Sequence, residues 1–277
     1  MKDLTGRVVV ISGAGSGMGR AYAVEAARRG ATLAIHDVDA DGLAGTAALL
    51  PAGTTVLSQV VDVADRDAVY ALAERVLTDL GPADVVINNA GVEGCAKPTW
   101  AFTDAEMQRV LDINLWGVVH GTRAFLPQLL TGDLGALVNV SSLFGLVGAP
   151  NQADYCASKF AVRGFSEALA AELADTHVRV HLVHPGGIAT NIARSEASAG
   201  FAGKYLKTSA ESVAVRVLDA VGTRRTRIVL GHRAPTTWLG ARVLPPWLMV
   251  RMIWRDLRPI LDLQHYPPTG DTPLPTR

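Results

Sequence analysis

Tyr155 and Lys159 stand four residues apart in "ADYCASKFAV". The stretch has helical periodicity, so the two side chains share one face and bring a phenol within reach of an ammonium. Upstream, Ser141 and Ser142 close the apolar run of "VNVSS", which puts hydroxyls at the carboxyl end of a strand. Adjacent strand residues point to opposite faces, so only one of the two serines can turn towards the phenol. Groups of these types suit proton transfer at an oxygen of a bound molecule. A surface Tyr-x-x-x-Lys pair without a role is common, and the surrounding sequence is what singles this one out.

The second set is a loop. In "ISGAGSGMGRA", Ile11 to Ala21, Gly13, Gly15, Gly17 and Gly19 alternate directly behind Val8-Val9-Val10 and ahead of helix-forming residues. A glycine cluster between two elements makes a turn. One that opens a helix also lets a ligand approach the backbone and sets a phosphate at the helix N-terminus. The spacing G-x-G-x-x-G is not met, since Met18 or Arg20 falls on its third glycine. G-x-x-x-G-x-G is met, by Gly13, Gly17 and Gly19. Asp37 follows the next strand run about 20 residues on, where a carboxylate accepts hydrogen bonds from both hydroxyls of an adenosine ribose. Neighbouring Asp39 is the better helix cap. No Lys or Arg occurs from Ala31 through Asp65, so a ribose 2′-phosphate would meet Asp37, Asp39 and Asp41 without a counter-charge. The pattern favours NAD over NADP.

These residues need elements to hold them. Strand-like runs are expected at Val8–Ile11, Leu33–Ile35, Thr55–Val61, Val85–Ile87, Ala136–Val140, Val178–Val183 and Ile228–Leu230. Helical periodicity falls near Arg20–Arg29, Asp41–Leu50, Arg66–Leu80, Asp104–Leu130, Ala153–Ala174 and Ala210–Val221. Near-continuous Val/Ile/Leu runs suit strands covered on both faces, which predicts an α/β, doubly wound parallel sheet of about seven strands. The 277 residues are read as one domain, residues 1–277. Lys plus Arg and Asp plus Glu both number 26, and this balance without a charge block argues against a nucleic-acid partner. Two cysteines, Cys95 and Cys156, support neither a disulfide framework nor a zinc site and suit a reducing cytoplasm. His181 and His184 lie three apart on a strand and face opposite ways, so no metal site is expected.

The ordered set resembles the short-chain dehydrogenase/reductase family from about Leu4 to Ile192. The residues that carry the resemblance are the glycine loop, Asp37, Asp62-Val63, Asn88-Asn89-Ala90-Gly91, Asn114, Ser142, Tyr155, Lys159, and Pro185-Gly186 with Thr190. Ser12 stands where the family usually has Thr and keeps the hydroxyl. The resemblance implies a Rossmann fold, NAD as cofactor and a homotetramer or dimer. It also selects Ser142 over Ser141 by the spacing before the tyrosine. The catalytic set it implies is Asn114, Ser142, Tyr155 and Lys159: Tyr155 exchanges the proton at the substrate oxygen, Ser142 positions that oxygen, and Asn114 organises a water that relays protons to Lys159. A free tyrosine has a pKa of about 10, and Lys159 together with an oxidised nicotinamide ring would lower it. The implied cofactor set takes Gly13, Ser16, Gly17, Met18 and Gly19 from the loop, with Asp37 on the ribose and Asp62 and Val63 beside the adenine. It continues through Asn89, Ala90, Gly91, Tyr155 and Lys159 to Pro185, Gly186, Ile188 and Thr190, the last two at the carboxamide.

Three segments are expected to line a substrate pocket: Val92–Trp100, Leu143–Asp154, and the loop from Asn191 to about Leu206. They are mostly apolar and hold no Arg or Lys cluster to clamp an anion. An apolar secondary alcohol or its ketone, alicyclic, terpenoid, aromatic or steroid-like, is the expected substrate, bound through Ser142 and Tyr155. The alternatives are a β-ketoacyl thioester reductase using NADPH and a nucleotide-binding protein that kept the fold without the chemistry. A C-terminal extension, about residues 236–277, carries an amphipathic basic stretch at Leu244–Leu261 and a Pro-rich tail. Packing over the pocket or at a subunit interface is the leading expectation for that stretch, with membrane-surface contact second.

Overall fold

A computed structural model describes residues 1–190 and 203–261, with Leu263 and Tyr266. The expected 191–202 part of the substrate loop and the Pro-rich tail from Pro267 lie outside the described residues. Seven parallel strands form one sheet, β1 (Val8–Ser12), β2 (Thr32–Asp37), β3 (Val56–Val60), β4 (Val85–Asn88), β5 (Gly135–Val140), β6 (Val178–Pro185) and β7 (Arg227–Leu230), in the order β3-β2-β1-β4-β5-β6-β7. Chain order reverses between β1 and β4, and that gap is where an open parallel sheet leaves a crevice for ligands.

Helices cover both faces. α1 (Gly17–Arg28) and α7 (Ala210–Ala220) pack on one side, α3 (Arg66–Asp79), α5 (Gly117–Leu129) and α6 (Ala153–Glu172) on the other. Val9, Ile11 and Tyr22 belong to the first core, Val10, Leu72 and Phe125 to the second. Neighbours on one strand thus feed opposite cores, as pleating requires. α2 (Ala40–Ala47) starts on Asp39, whose carboxylate accepts from Gly42 N at 3.0 Å. α4 (Asp104–Leu111) starts on a reciprocal Thr103/Glu106 box.

The expected single helix Asp104–Leu130 is three segments. α4 passes into a π-helical turn, Asp112–Trp116, and then into α5. Beyond β7 the chain forms two helices, α8 (Ala234–Val243) and α9 (Pro246–Leu257). The expected basic stretch accounts for α9, while α8 was not foreseen. It begins after Arg233, which adopts a left-handed conformation at φ 60°, with a proline in its first turn.

A polar seam crosses the sheet beside the site. Asn88 and Asn139 are register partners on β4 and β5, and Asn88 Nδ2 donates to Asn139 Oδ1 at 2.9 Å. Asn139 Nδ2 donates to Ser166 Oγ at 3.0 Å, and Ser166 passes its hydrogen to Val162 O at 2.7 Å. A register slip would strand these buried amides without partners. Asn139→Ala is expected to lower unfolding stability by about 2 kcal/mol, since it removes the shortest bond of buried Asn88 Nδ2 and the donor to Ser166 Oγ. Urea denaturation checks this, and an unchanged midpoint would contradict the seam's role.

Candidate active site

The glycine loop and the end of β4 meet at the crevice. The Ser12 hydroxyl accepts from Asn89 N at 2.9 Å and Ala90 N at 3.0 Å, and Asn89 Nδ2 returns a bond to Ser12 O at 3.0 Å. Ser12, foreseen only as a substitute for Thr, is therefore the clamp between β1 and β4. Gly13 has φ +66°, and a Cβ there would stand 2.8 Å from Ala90 Cα. No side chain fits between the two loops. Thr190 reaches the same loop, its Cβ 3.2 Å from where a Cβ on Gly17 would lie. Ser16 heads α1 without a side-chain cap bond, and Asn89 Oδ1 is buried with no protein partner.

Asp37 ends β2 and bonds the loop itself. Its Oδ2 accepts from Gly15 N at 2.8 Å and its Oδ1 from Asp39 N at 3.1 Å. The sequence expectation of no basic group nearby needs correction. Arg20, on α1, reaches in: its guanidinium donates to Gly15 O, to Gly42 O at 3.2 Å and to Thr46 Oγ1 at 2.9 Å. Those acceptors occupy its Nε and Nη2. Asp62 is exposed and takes Ala64 N at 2.9 Å, while Val63 is buried against Gly117 and its carbonyl meets His120 Nδ1 at 3.1 Å.

Tyr155 and Lys159 lie one turn apart on α6, with Lys159 Nζ 5.7 Å from the Tyr155 ring centre. Lys159 is buried and donates to Val140 O at 3.1 Å. Burial pulls its pKa down to about 8. The Tyr155 phenol differs from expectation. Burial around its hydroxyl pushes it up to about 12, against a smaller lowering by the Ser142 hydrogen bond. Protein groups alone leave it protonated near neutrality.

The two serines divide as strand alternation requires. Ser142 bonds Tyr155 and also caps a 3-10 turn by accepting from Phe144 N at 3.1 Å. Ser141 is buried and donates to Lys159 O at 2.8 Å, a structural bond. His184, also buried, holds Ser142 O from Nδ1 at 2.8 Å. The partner is a carbonyl, so Nδ1 carries the proton, and burial holds the ring neutral with a pKa of about 4. Asp154 is fully buried and accepts from Cys95 N at 2.9 Å and Tyr155 N at 2.8 Å. It ties the Val92–Trp100 segment to the start of α6. Sequence reasoning weighed His184 only as a metal ligand and Asp154 only as the end of a pocket segment; a polar residue inside an apolar strand and a carboxylate beside the tyrosine were the available signals for their positioning roles.

Asn114 is in the π-helical turn and wholly buried. Its side chain is committed, Oδ1 accepting from Val92 N at 2.8 Å while Nδ2 donates to Val92 O at 3.0 Å and Ser158 Oγ at 3.1 Å. A Cβ on Gly91 would lie 3.0 Å from Asn114 Oδ1 and 3.3 Å from Lys159 Nζ. Gly91 thus marks the point where the two side chains converge.

A cavity of about 570 Å³ opens here. Met18, Asn89, Gly91, Ser142, Tyr155, Lys159, Pro185, Gly186, Ile188 and Thr190 line it. Gly13, Ser16, Gly17, Gly19, Asp37, Asp62, Val63, Ala90 and Asn114 lie outside its wall. The expected pocket segments contribute Glu93 and Ala96, Phe144 and Val147, and Tyr205 and Leu206. The roof was not foreseen in detail: Thr236, Thr237 and Gly240 come from α8, Leu244 from the junction and Met249, Met252, Ile253 and Leu257 from α9, with Arg233 and Arg255 beside them. Asp256 fastens it, accepting from Arg233 at 2.7 Å and from the Tyr205 hydroxyl at 2.8 Å, with Lys204 at 3.4 Å. Among the described residues there is no cluster of groups able to hold a metal ion.

The family model for short chain dehydrogenase matches residues 7–199. SadH of Mycobacterium tuberculosis, an oxidoreductase by name, is 42% identical over 258 residues, covering 88% of this chain and 93% of SadH. A 1-deoxy-11-beta-hydroxypentalenate dehydrogenase of Streptomyces avermitilis is 38% identical over 230 residues, covering 82% of this chain and 85% of that one. A short chain dehydrogenase/reductase from Burkholderia phymatum, solved in complex with NAD, superposes with a TM-score of 0.81 at 30% identity and covers 99% of this chain and 100% of that one. With a tyrosine, a buried lysine and a serine gathered at the crevice of a seven-stranded sheet, this chain belongs to the short-chain dehydrogenase family and is an oxidoreductase of that type.

Proposed function

We propose that this chain transfers hydride between NAD(H) and an apolar secondary alcohol or its ketone. What carries the reading is the convergence of Ser142, Tyr155 and Lys159 at one end of a cavity whose other walls are chiefly aliphatic and thioether side chains. The hydroxypentalenate dehydrogenase name of one relative fits an alicyclic, terpenoid-like substrate.

The residues fit the cofactor. The loops at Gly13 and Ala90 leave backbone rather than side chain at the crevice, and Asn89 Oδ1 is an unclaimed buried acceptor. Each Asp37 oxygen has a lone pair beyond its one backbone bond, free for a ribose hydroxyl. Bound NAD supplies the hydride acceptor and a positive ring. Ser142 holds the substrate oxygen as a neutral donor, and Tyr155 takes or gives its proton. Lys159 contributes its ammonium and the nicotinamide ribose contact. Asn114 holds the Val92 backbone through its side chain and, in this reading, organises the water that relays protons to Lys159. Residues 1–277 form one Rossmann domain with a C-terminal extension in this reading. The exposed Trp116 and Phe160 support a homo-oligomer, dimer or tetramer.

Arg20 favours the alternative, an NADPH-dependent thioester reductase, because it is a cation beside the adenosine-ribose end of the loop. Its Nε and Nη2 are taken by Thr46, Gly15 and Gly42 while Asp37 sets a carboxylate at the ribose position, so NAD is favoured. Fluorescence titration is expected to find NADH bound at least about tenfold tighter than NADPH, about 1.4 kcal/mol, with Asp37→Ala closing the gap. A preference for NADPH would reopen the thioester reading.

Tyr155→Phe is expected to cut turnover of an alicyclic alcohol by about a thousandfold while NADH affinity stays near the parent value. Retained turnover would falsify the role of the phenol.

Lys159 makes a pH prediction. Its pKa in the fold, about 8, lies below the ordinary 10.5, so the buried ammonium costs on the order of 3 kcal/mol at neutral pH. The unfolded chain binds the extra proton above pH 8, so stability rises there. Relative to Lys159→Met, the parent is expected to gain stability between about pH 8 and 10 in urea denaturation. A difference flat across that range would rule the cost out.

A further inference from the structure

The inner faces of α8 and α9 roof the cavity; their outer faces are largely exposed, with Trp254 meeting the Tyr266 ring at 5.5 Å between centres. Leu239 and Val243 on α8 are 58% and 68% exposed, and Trp247 and Val250 on α9 are 62% and 67% exposed. The helices pack on each other where a Cβ on Gly240 would meet Met249 Sδ at 3.5 Å. From Trp247 through Val250, Arg251 and Trp254 on α9 to Arg258 at its C-cap, the sequence offset is 0, 3, 4, 7 and 11, a single helical stripe. Four isolated exposed apolar residues would need no explanation. Four on two adjoining helices, interleaved with arginines, form a patch.

Charge says what covers it. Arg242, Arg251 and Arg258 sit over the rings of Trp238, Trp247 and Trp254 at 5.1, 5.9 and 6.0 Å. None of them has an ion pair among the described residues. The sole carboxylate described on the two helices, Asp256, is taken by Arg233, Lys204 and Tyr205 at the roof's inner edge. A second copy seated symmetrically would bring the same patch against itself, arginine facing arginine with no acid to answer. An anionic bilayer surface meets both demands: Trp rings settle at the headgroup level, and arginine heads pair with phosphates. α9 spans twelve residues, about 18 Å, and no helix among the described residues is long and apolar enough to cross a membrane. The contact lies along the surface.

We infer that the outer face of α8 and α9, through Leu239, Val243, Trp247 and Val250 with Arg242, Arg251 and Arg258, docks on anionic phospholipid membranes. The cavity roof then rests on the bilayer. The inference does not depend on the cofactor reading.

The test is flotation of the full chain with phosphatidylcholine vesicles, with and without phosphatidylglycerol. Binding is expected only with phosphatidylglycerol and is expected to weaken with salt. Arg242→Glu/Arg251→Glu/Arg258→Glu is expected to lower the partition coefficient by more than about tenfold, and Trp247→Ala/Val250→Ser to lower it independently of charge. None of these residues lines the cavity, so NADH binding and melting temperature serve as fold controls. Absence of flotation, or flotation unchanged in both variants, overturns the inference. So does a dimer that Trp247→Ala/Val250→Ser dissociates, which would give the face to a second copy.

Discussion

A primary ammonium kept out of water, with one backbone carbonyl as its protein partner, is the constraint on which this molecule turns. Lys159 is 3% exposed, and an uncompensated buried cation is tolerated only where its surroundings are fixed. They are fixed from several directions. Ser141 holds the Lys159 carbonyl, β5 offers Val140 O, and Asn114 closes the far side beside Gly91. Tyr155 pays the same toll of burial one turn away. The site therefore holds two titrating groups displaced away from each other, the phenol upward and the ammonium downward, each towards its neutral form. A positive charge nearby acts on both in the same sense, favouring phenolate and neutral amine.

The remaining polar contacts keep that arrangement in place by tying elements distant in sequence. Ser12 locks β1 to β4, Asn88 and Asn139 lock β4 to β5, and His184 holds the Ser142 carbonyl from β6. Each is a buried or half-buried hydrogen bond at the carboxyl edge of the sheet. Removing one leaves a desolvated partner behind, which costs more than the bond itself contributes.

The parts legible in the sequence are those whose signal is local. Seven apolar runs became the seven strands, and i, i+4 spacing placed Tyr155 and Lys159 on one face. Alternation along a strand left one serine of two for the phenol, and the geometry agrees with Ser142. Contacts across the sequence were not legible. Arg20 reaches Gly42 and Thr46 across two elements, and no pattern in residues 31–65 could reveal it. The π-helical turn at Asn114 reads as ordinary helix, since its hydrogen-bond slip is set by packing on Val92 and Ser158 rather than by propensity. α8 stayed hidden because its mixed Thr, Trp, Gly and Pro content has weak periodicity.

The roof has a consequence for inheritance. The family match ends at residue 199, while the cavity's ceiling is built from Tyr205 onward and fastened by Asp256. Proton transfer thus lies within the matched residues, which also give cavity walls at Glu93, Ala96, Phe144 and Val147, and the ceiling lies beyond them. The first is bound into the sheet edge by buried bonds and resists drift. The second hangs on partly exposed ion pairs, each worth about 1 kcal/mol or less, so lineages can remodel the ceiling, and with it the range of molecules admitted, while the chemistry beneath stays unchanged.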